Sequence, residues 1–332
     1  MKKERVLAAL QHQVTGIIPF NTEPTQEMTE KLCAYLHMDA DEVREWTGNH
    51  IEKFNCKEPD VECAPGFFRD EYGVVWNRTV DKDIGMPKPV LAEPNLTGWQ
   101  LPEVDIDSLH ARLDAFVNNG RDSFKFAKID FVLFERAWSL RGFESLLADF
   151  LLEPDFVREL LTRITDRNLR IIEASLQHDI DGIYVGDDYG QQTGMLFSPE
   201  TWREFIKPQL KRMFDVAKAA GKAVCLHSCG NIWPILGDLA DIGLDIYQTV
   251  QPELYDLAAL KKEYGSALCF YGGISTQRDL PVCSPENIQR IVRETMAVLG
   301  QGGGYIAAPT HRVPGDVPPE NVAAMVDAFK HQ

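Results

Sequence analysis

The stretch Ala223-Val224-Cys225-Leu226-His227-Ser228-Cys229-Gly230-Asn231 reads as a short buried strand that ends at a His-x-Cys pair and turns through a glycine. Imidazole and thiolate are the protein ligands that zinc prefers. Because two residues cannot hold a tetrahedral ion, the pair alone is equally typical of a buried neutral histidine beside a structural thiol. The pair lies where a strand ends and a loop begins. This position favours the interpretation that the pair is half of a metal site at the mouth of a barrel.

Apolar strands alternate with helical segments on both sides of this stretch. Eight strands are predicted, beginning at Ile17, Ile51, Phe131, Ile183, Ala223, Leu244, Leu268 and Gly304. Helices separate most of them, which indicates a parallel sheet with the helices outside. Eight such units and a length of 332 residues fit a single (β/α)₈ TIM-type barrel formed by residues 1–332. An open doubly wound sheet is the alternative, and the sequence has no Gly-x-Gly-x-x-Gly after a strand to support it.

The regular alternation is interrupted after the second predicted strand. Six prolines break the pattern between residues 57 and 107, and within that region residues 69–76 look like one arm of a β-hairpin. A connection of this length is expected to carry its own structure or a function. We interpret 57–107 as an insertion that covers one end of the barrel.

Composition narrows the classes of partner. The net charge of −16 disfavours nucleic acids and anionic membrane surfaces. No run approaches 18 apolar residues, so no membrane span is expected, and no signal-peptide core follows the basic N-terminus. Seven scattered cysteines favour reduced thiols in the cytoplasm over a disulfide framework. The oligomeric state stays open, with a homodimer as one option.

In such a barrel the active site lies at the carboxyl ends of the strands. The polar residues predicted there are Asn21, Glu23, Glu135, Arg136, Asp187, Asp188, His227, Cys229, Gln248, Gln251, Thr310 and His311. His311 follows the last strand and can face strand five across the mouth. His227, Cys229 and His311 would then form a three-ligand zinc site with one open position, and Glu23 or Asp187 would be a fourth ligand or a hydrogen-bond partner.

Two pairs of charged residues have a plain alternative interpretation. Asp187 and Asp188 suit acid–base or metal-orienting work, but they are also typical of a solvated turn. Glu135 and Arg136 are equally consistent with an internal ion pair that shapes the rim.

The sequence resembles the uroporphyrinogen decarboxylase superfamily over nearly its whole length. The motifs that carry the resemblance are Arg5–His12, Asp70–Trp76, Gly186–Asp188 with Gly190–Gln192, His227–Gly230, Gly302–Ile306, Ala308–His311 and Asp316–Asn321. The resemblance implies the distorted (β/α)₈ barrel of that superfamily.

The superfamily divides by chemistry. Its decarboxylases bind an octacarboxylate tetrapyrrole without metal through paired arginines after the first strand, whereas the matching stretch here, Phe20–Pro24, has no arginine. Its zinc-dependent methyltransferases carry His-x-Cys on strand five and a cysteine after strand eight. This sequence keeps His227 and Cys229 and has His311, or less well Thr310, at the third position.

The resemblance therefore implies a zinc-dependent methyltransferase. It would move a methyl group from a small methylated donor, such as an O-methyl ether, to the Co(I) corrinoid (cobalamin) of a partner protein that acts in trans. Catalytic roles are implied for Asp187, Asp188 and Glu135, and substrate contacts for Asn21, Glu23, Arg136, Tyr189 and Gln251. Two alternatives are a metal-free decarboxylase or lyase of a smaller acid, with Asp187 as the proton carrier, and a non-catalytic corrinoid- or tetrapyrrole-binding barrel.

Overall fold

The computed structural model describes residues 1–80 and 85–332. Within them, a seven-stranded parallel sheet follows the order of the chain. Its strands are Ile51–Asn55, Phe124–Asp130, Gly182–Gly186, Ala223–His227, Ile246–Val250, Cys269–Ile274 and Tyr305–Pro309.

The segment around Phe20 occupies the eighth place in the ring. The N–H of Asn21 donates to the carbonyl of Ala307 at 2.9 Å, and the N–H of His50 donates to the carbonyl of Phe20 at 3.1 Å. The predicted strand at Ile17 is therefore reduced to a single bridge, Phe20 to Ala307, that joins the two edges of the sheet. The predicted TIM-type α/β barrel is confirmed.

Helices cover the outside of the sheet. Their bounds are Lys2–Leu10, Gln26–Leu36, Ala40–Thr47, Ile106–Val117, Phe134–Arg141, Phe143–Leu152, Pro154–Ser175, Pro199–Thr201 continued through a π-helical turn at Trp202–Ile206 into Lys207–Ala219, a 3₁₀ turn at Trp233–Ile235, Leu236–Asp241, Leu257–Tyr264, Pro285–Leu299 and Pro319–Lys330. Ser198 caps the helix that begins at Pro199, since its hydroxyl accepts the N–H of Thr201 at 3.0 Å.

Alternate residues of each strand point into the barrel, as the period of two requires. The inward side chains form a buried layer that includes Ile51, Phe124, Phe126, Tyr184, Cys225, Ile246, Cys269, Tyr271 and Ile306. Two residues further along their strands, the inward positions become polar, with Lys53, Lys128, His227 and Gln248. The barrel interior thus changes from a packed apolar layer to a polar mouth over two residues of each of these strands.

The strand predicted at Phe131–Phe134 is wrong. The strand lies earlier, at Phe124–Asp130, and a helix begins at Phe134. Asp187 explains the change, because its carboxylate accepts the N–H groups of Leu133, Phe134 and Glu135 and caps that helix from more than 50 residues away. The apolar run therefore leads into a helix. The strand itself was missed because two lysines interrupt its apolar pattern.

The region predicted as an insertion contains a four-stranded antiparallel sheet, Val61–Ala64, Phe67–Arg69, Val75–Asn77 and Met86–Lys88. Residues 69–76 hold the turn between two of these strands, so they are not one hairpin arm. The Trp76 ring packs edge-on against Phe131, with centroids 5.5 Å apart, and Asp70 pairs with buried Arg136 at 2.6 Å. These contacts tie the small sheet to the barrel rim. The division of the chain into a barrel and a 57–107 insertion stays a prediction.

Two further expectations concern the whole chain. Every helix in the described parts of the chain is too short or too polar to cross a bilayer. All seven cysteines are free of disulfides.

Candidate metal centre

Three potential metal ligands meet where two neighbouring strands end. The ligand atoms of Asp188, His227 and Cys229 all lie within 4.8 Å of one another. The Nε2 of His227 is 3.5 Å from the Sγ of Cys229 and 3.5 Å from Oδ1 of Asp188. The strand register pairs His227 with Gly186, so Asp188, two residues further on, is brought beside the His-x-Cys pair. We call these three residues the metal centre.

The ring of His227 is oriented by Gln248, its partner in the adjacent strand. Nδ1 of His227 contacts Oε1 of Gln248, which also accepts the hydroxyl of Tyr184 at 2.7 Å. Because a carbonyl oxygen only accepts, Nδ1 carries the hydrogen and the lone pair of Nε2 is directed at the other two ligands. A hydrogen bond at the remote nitrogen is what metal-binding histidines ordinarily have.

The loop that carries Cys229 is held by backbone contacts. Gly230 has φ +82°, and a Cβ there would lie 2.0 Å from the carbonyl carbon of Gly190. Gln251 accepts the N–H of Gly230 at 2.7 Å, and Asp188 accepts the N–H of Cys229 at 2.8 Å. Only glycine permits this approach of the two loops. Gln251, predicted to bind substrate, therefore supports this loop.

His311 stands beside the metal centre. Its ring is inclined at 67° to that of His227, with centroids 5.9 Å apart, and both line the same cavity. The compact donor set nevertheless has Asp188 where the sequence suggested His311, whose role as a ligand stays a prediction. Thr310 is buried, and its hydroxyl contacts that of Thr276 at 3.0 Å.

The chemistry of the donor set fits a zinc ion. Burial, followed by the neighbouring carboxyl groups of Asp188 and Glu135, raises the pKa of the Cys229 thiol well above its usual range. A cation between these groups would offset the repulsion and release the thiol proton. One imidazole nitrogen, one thiolate and one carboxylate are ligands that zinc accepts, with a further position open.

The two adjacent carboxylates of the Asp187–Asp188 pair do different work. Asp188 faces His227, whereas Asp187 is fully buried and accepts the N–H groups of Phe134 and Glu135, both at 2.8 Å. Burial raises the pKa of Asp187 to about 7, while those amide donors act in the opposite sense. The structure thus gives Asp187 a helix-capping contact and leaves Asp188 at the metal centre.

Glu135 lines the cavity next to both aspartates. Burial, followed by the charges of Asp188, Asp187 and Asp130, raises the pKa of Glu135 well above its usual range. Asp187 has the amide donors that stabilise a charge, so burial and the neighbouring charges favour the protonated form chiefly at Glu135. A protonated carboxyl in a cavity is suited to act as a general acid.

The cavity holds about 240 Å³ and continues away from the metal centre to a second charged group. There, Glu23 pairs with Lys53 at 2.5 Å and accepts the amide of Asn21 at 2.9 Å and the hydroxyl of Tyr271 at 3.3 Å. Burial opposes the charge of Glu23, but Lys53, with Lys128 and Arg312, outweighs it and lowers its pKa to about 2. We call Lys53, Lys128 and Arg312 the cationic end of the cavity.

Sequence reasoning did not single out the cationic end. Lys53 lies on the same strand face as Ile51, and this alternation could have placed it inside the barrel. The opposite face, with Glu52 and Phe54, has the same mixture of charged and apolar residues, so the sequence does not show which face is inside. Lys128 was hidden because its strand was predicted too late in the chain.

Two predicted substrate contacts are engaged elsewhere. The buried guanidinium of Arg136 donates to Asp70 at 2.6 Å and to Ser139 at 3.3 Å. Tyr189 is buried, and its ring packs against Phe197 and Trp202. Both side chains are therefore buried among other protein groups and do not line the cavity.

Comparison with known proteins identifies a family and several relatives. A family model described as uroporphyrinogen decarboxylase matches residues 134–332. The methylcobamide:CoM methyltransferase MtaA of Methanosarcina barkeri is 28% identical over 176 residues, which are 53% of this chain and 49% of that protein. The uroporphyrinogen decarboxylase of Psychromonas ingrahamii is 26% identical over 183 residues, 53% of this chain and 48% of that protein. The chain spans about half the length of these curated relatives.

A solved structure matches over a longer range. A methyltransferase from Methanosarcina mazei has a TM-score of 0.75 and 20% identity, covering 99% of this chain and 98% of its own. At this identity the likeness concerns the fold.

Proposed function

The chain belongs to the uroporphyrinogen decarboxylase family, and on that premise we propose that it is a zinc-dependent methyltransferase. It moves a methyl group from a small methylated donor to the Co(I) corrinoid (cobalamin) of a partner protein. The observation that carries the proposal is the donor set of Asp188, His227 and Cys229 at the barrel mouth, in a chain similar to a methylcobamide:CoM methyltransferase.

The metal centre would hold the zinc ion, with His311 as a further candidate ligand. When bound, zinc supplies a Lewis acid that polarises the heteroatom carrying the methyl group. Gln248 keeps the Nδ1–H tautomer of His227, and the N–H of Cys229 holds the carboxylate of Asp188.

Glu135 would complete the transfer as the general acid. The bond between the heteroatom and the methyl carbon breaks, and its electron pair stays on the heteroatom. That atom then takes the proton of Glu135, which burial keeps on the carboxyl group. The methyl group leaves toward the partner's Co(I), which supplies the new bonding pair.

The size of the cavity supports a small donor. About 240 Å³ is below the range of drug-sized ligand sites, roughly 300–1,000 Å³. The stretch Phe20–Pro24 also offers no arginine for a porphyrinogen.

A second candidate function is a metal-free decarboxylase or lyase acting on a smaller acid. The cationic end of the cavity favours it, because lysine and arginine side chains suit a substrate carboxylate. Asp187 or Glu135 would then carry the proton.

The test measures metal content and methyl transfer together. Purified protein should contain about one zinc ion per chain, and should methylate free cob(I)alamin from a donor within a panel of small methyl ethers. His227→Ala and Cys229→Ala should lose both properties. Cys225→Ala is the matched control, since that thiol is buried in the barrel interior two residues before His227.

A wild-type protein without zinc, or variants that keep full activity, would refute the proposal. Turnover of an acid with release of CO₂ in a strong chelator would establish the second candidate.

A further inference from the structure

Phe131 has a backbone conformation that bulky residues rarely adopt. Its φ is +56°, in the left-handed region, where the Cβ lies too close to the following carbonyl oxygen. Outliers of this kind persist only where the surrounding structure holds them, and they cluster at functional sites. Phe131 also lines the cavity that contains the metal centre. The strain therefore lies in the wall of the candidate site.

The backbone of Phe131 is fixed on both sides. Before it, the strand Phe124–Asp130 pairs with the next strand up to its last residue, which lies opposite Gly186. After it, the N–H of Val132 donates to the carbonyl of Gly186 at 3.0 Å, and Asp187 accepts the N–H groups of the next three residues. Because both flanks are held, Phe131 takes the sharp turn between the strand and the helix.

The ring of Phe131 packs against aromatic residues from two elements. Trp76 of the small sheet lies edge-on with its centroid at 5.5 Å, and Trp138 of the following helix lies at 6.0 Å. The guanidinium carbon of Arg136 is 5.7 Å from the ring centroid. Each contact of this kind is similar in size to the cost of a left-handed residue. Loss of the contact with Trp76 would therefore weaken the hold on the ring.

Trp76 is itself fixed by the buried carboxylate of Asp70. The indole Nε1 donates to Asp70 at 3.0 Å, and the same carboxylate pairs with Arg136 at 2.6 Å. Asp70 also accepts the N–H groups of Tyr72 and Val74. None of these five residues is more than 6% exposed. The small sheet thus presents a rigid, fully packed support to Phe131.

We propose that Phe131 sets the largest ligand that the cavity accepts, and that the small sheet positions it through Trp76. Phe131 would contact the ligand, whereas Trp76 acts only through Phe131. That the ligand is a methyl donor rests on the proposed function, but the size limit requires neither zinc nor corrinoid. A cavity of about 240 Å³ is smaller than a drug-sized site, so one ring decides which ligands fit. We expect a one-ring ligand to enter and a fused two-ring ligand to be excluded.

The experiment titrates two uncharged probes into the full chain, as purified, by calorimetry. The probe 4-methoxyphenol has one ring, and 6-methoxy-2-naphthol carries the same groups on two fused rings. Wild type should bind the one-ring probe at least about tenfold more tightly. Phe131→Ala should reduce that ratio at least about tenfold, chiefly by tighter binding of the two-ring probe. Phe131→Leu should shift the ratio in the same direction, and it covers the case in which the alanine variant does not fold.

The role of the small sheet is tested at Trp76. Trp76→Leu should lower the ratio of the two affinities about threefold, because Phe131 loses an aromatic neighbour. Trp76→Phe keeps a ring beside Phe131 and should retain most of the wild-type ratio. Trp46→Leu is the matched control, since that indole lies on the outer helix Ala40–Thr47 beside Lys330. It should leave the ratio at the wild-type value.

The strained conformation has a readout of its own. Glycine is favoured over alanine at a left-handed position. Phe131→Gly should therefore unfold at a higher urea concentration than Phe131→Ala, which reverses the usual order of these two residues.

The size limit is overturned if wild type binds the two probes equally or binds neither. It is also overturned if Phe131→Ala and Phe131→Leu leave the ratio unchanged, or if glycine at this position is the less stable of the pair. An unchanged ratio in Trp76→Leu, or an equal change in Trp46→Leu, contradicts the role of the small sheet. The proposed function fails separately, through the absence of zinc or of methyl transfer, because the comparison of probes depends on neither.

Discussion

The metal centre and the cationic end lie in one cavity but are assembled differently. The metal centre combines the ends of two adjacent strands, and backbone amides and one glutamine hold its ligands. The cationic end gathers side chains from three separate parts of the chain; ion pairs hold its two lysines, and Arg312 donates to the carbonyl of Pro24. Under the proposed function, the metal centre would perform the chemistry and the cationic end would contact the substrate. Changes at the first should alter rate and metal content, and changes at the second should alter binding.

The largest difference in effect is expected between substitutions of Asp188 and of Asp187. Asp188→Ala removes a ligand and should lower methyl transfer by about a thousandfold, since a bound metal contributes several kcal/mol to the transition state. Asp187→Ala instead uncovers helix N–H groups and should lower the free energy of unfolding by about 2–4 kcal/mol. Methyl-transfer assays and metal analysis should single out Asp188→Ala, whereas urea denaturation should single out Asp187→Ala. If the two changes had equal effects in each measurement, the contrast between the two aspartates would be wrong.

Glu135→Gln should have the next largest effect. Loss of the proton donor is expected to lower the rate by about 10²–10⁴-fold while zinc content stays constant. Burial raises the pKa of Glu135, so the active acid form is present at low pH and the rate should fall as pH rises through that pKa. A pH–rate profile measures this decline, which should be missing from the variant. Glu144→Gln, an exposed change on a nearby helix, is the control.

Gln248→Leu probes the support of the metal centre. Without its acceptor, the His227 ring loses its fixed tautomer, and zinc affinity should fall about 10–100-fold. Competition with a chromophoric chelator measures the change. Gln289→Leu, on an outer helix, should leave the affinity at the wild-type value; a similar loss there would mean that the effect is not local.

The smallest effect is expected at the cationic end, where Glu23→Gln should alter stability in a pH-dependent way. The folded pKa of about 2 lies below the ordinary value, so the stabilisation is present above about pH 4.5 and is lost as pH falls toward 2. Between pH 6 and pH 3 wild type should lose about 1–2 kcal/mol more than the variant, allowing for partial exposure of the side chain. Parallel losses in urea titrations at the two pH values would show that the carboxylate is not held by the lysines.

Much of the metal centre could be predicted from the sequence because its residues are local. His227 and Cys229 are two residues apart, and Asp188 follows the strand that precedes theirs in the sheet. The carboxyl ends of parallel strands converge, so recognising the strands is enough to bring such residues together. Selecting Asp188 over His311 as the nearest neighbour required distances that no pattern contains.

By itself, the sequence determined the barrel, because alternating apolar strands and helices pack in few ways. It also determined the His-x-Cys pair at a strand end. Tertiary structure alone decided the start of the helix at Phe134, because its cap, Asp187, is supplied by another strand. It also decided the cationic end, because a lysine becomes a buried charge only when the closed barrel encloses it beside Glu23 and the tyrosine rings.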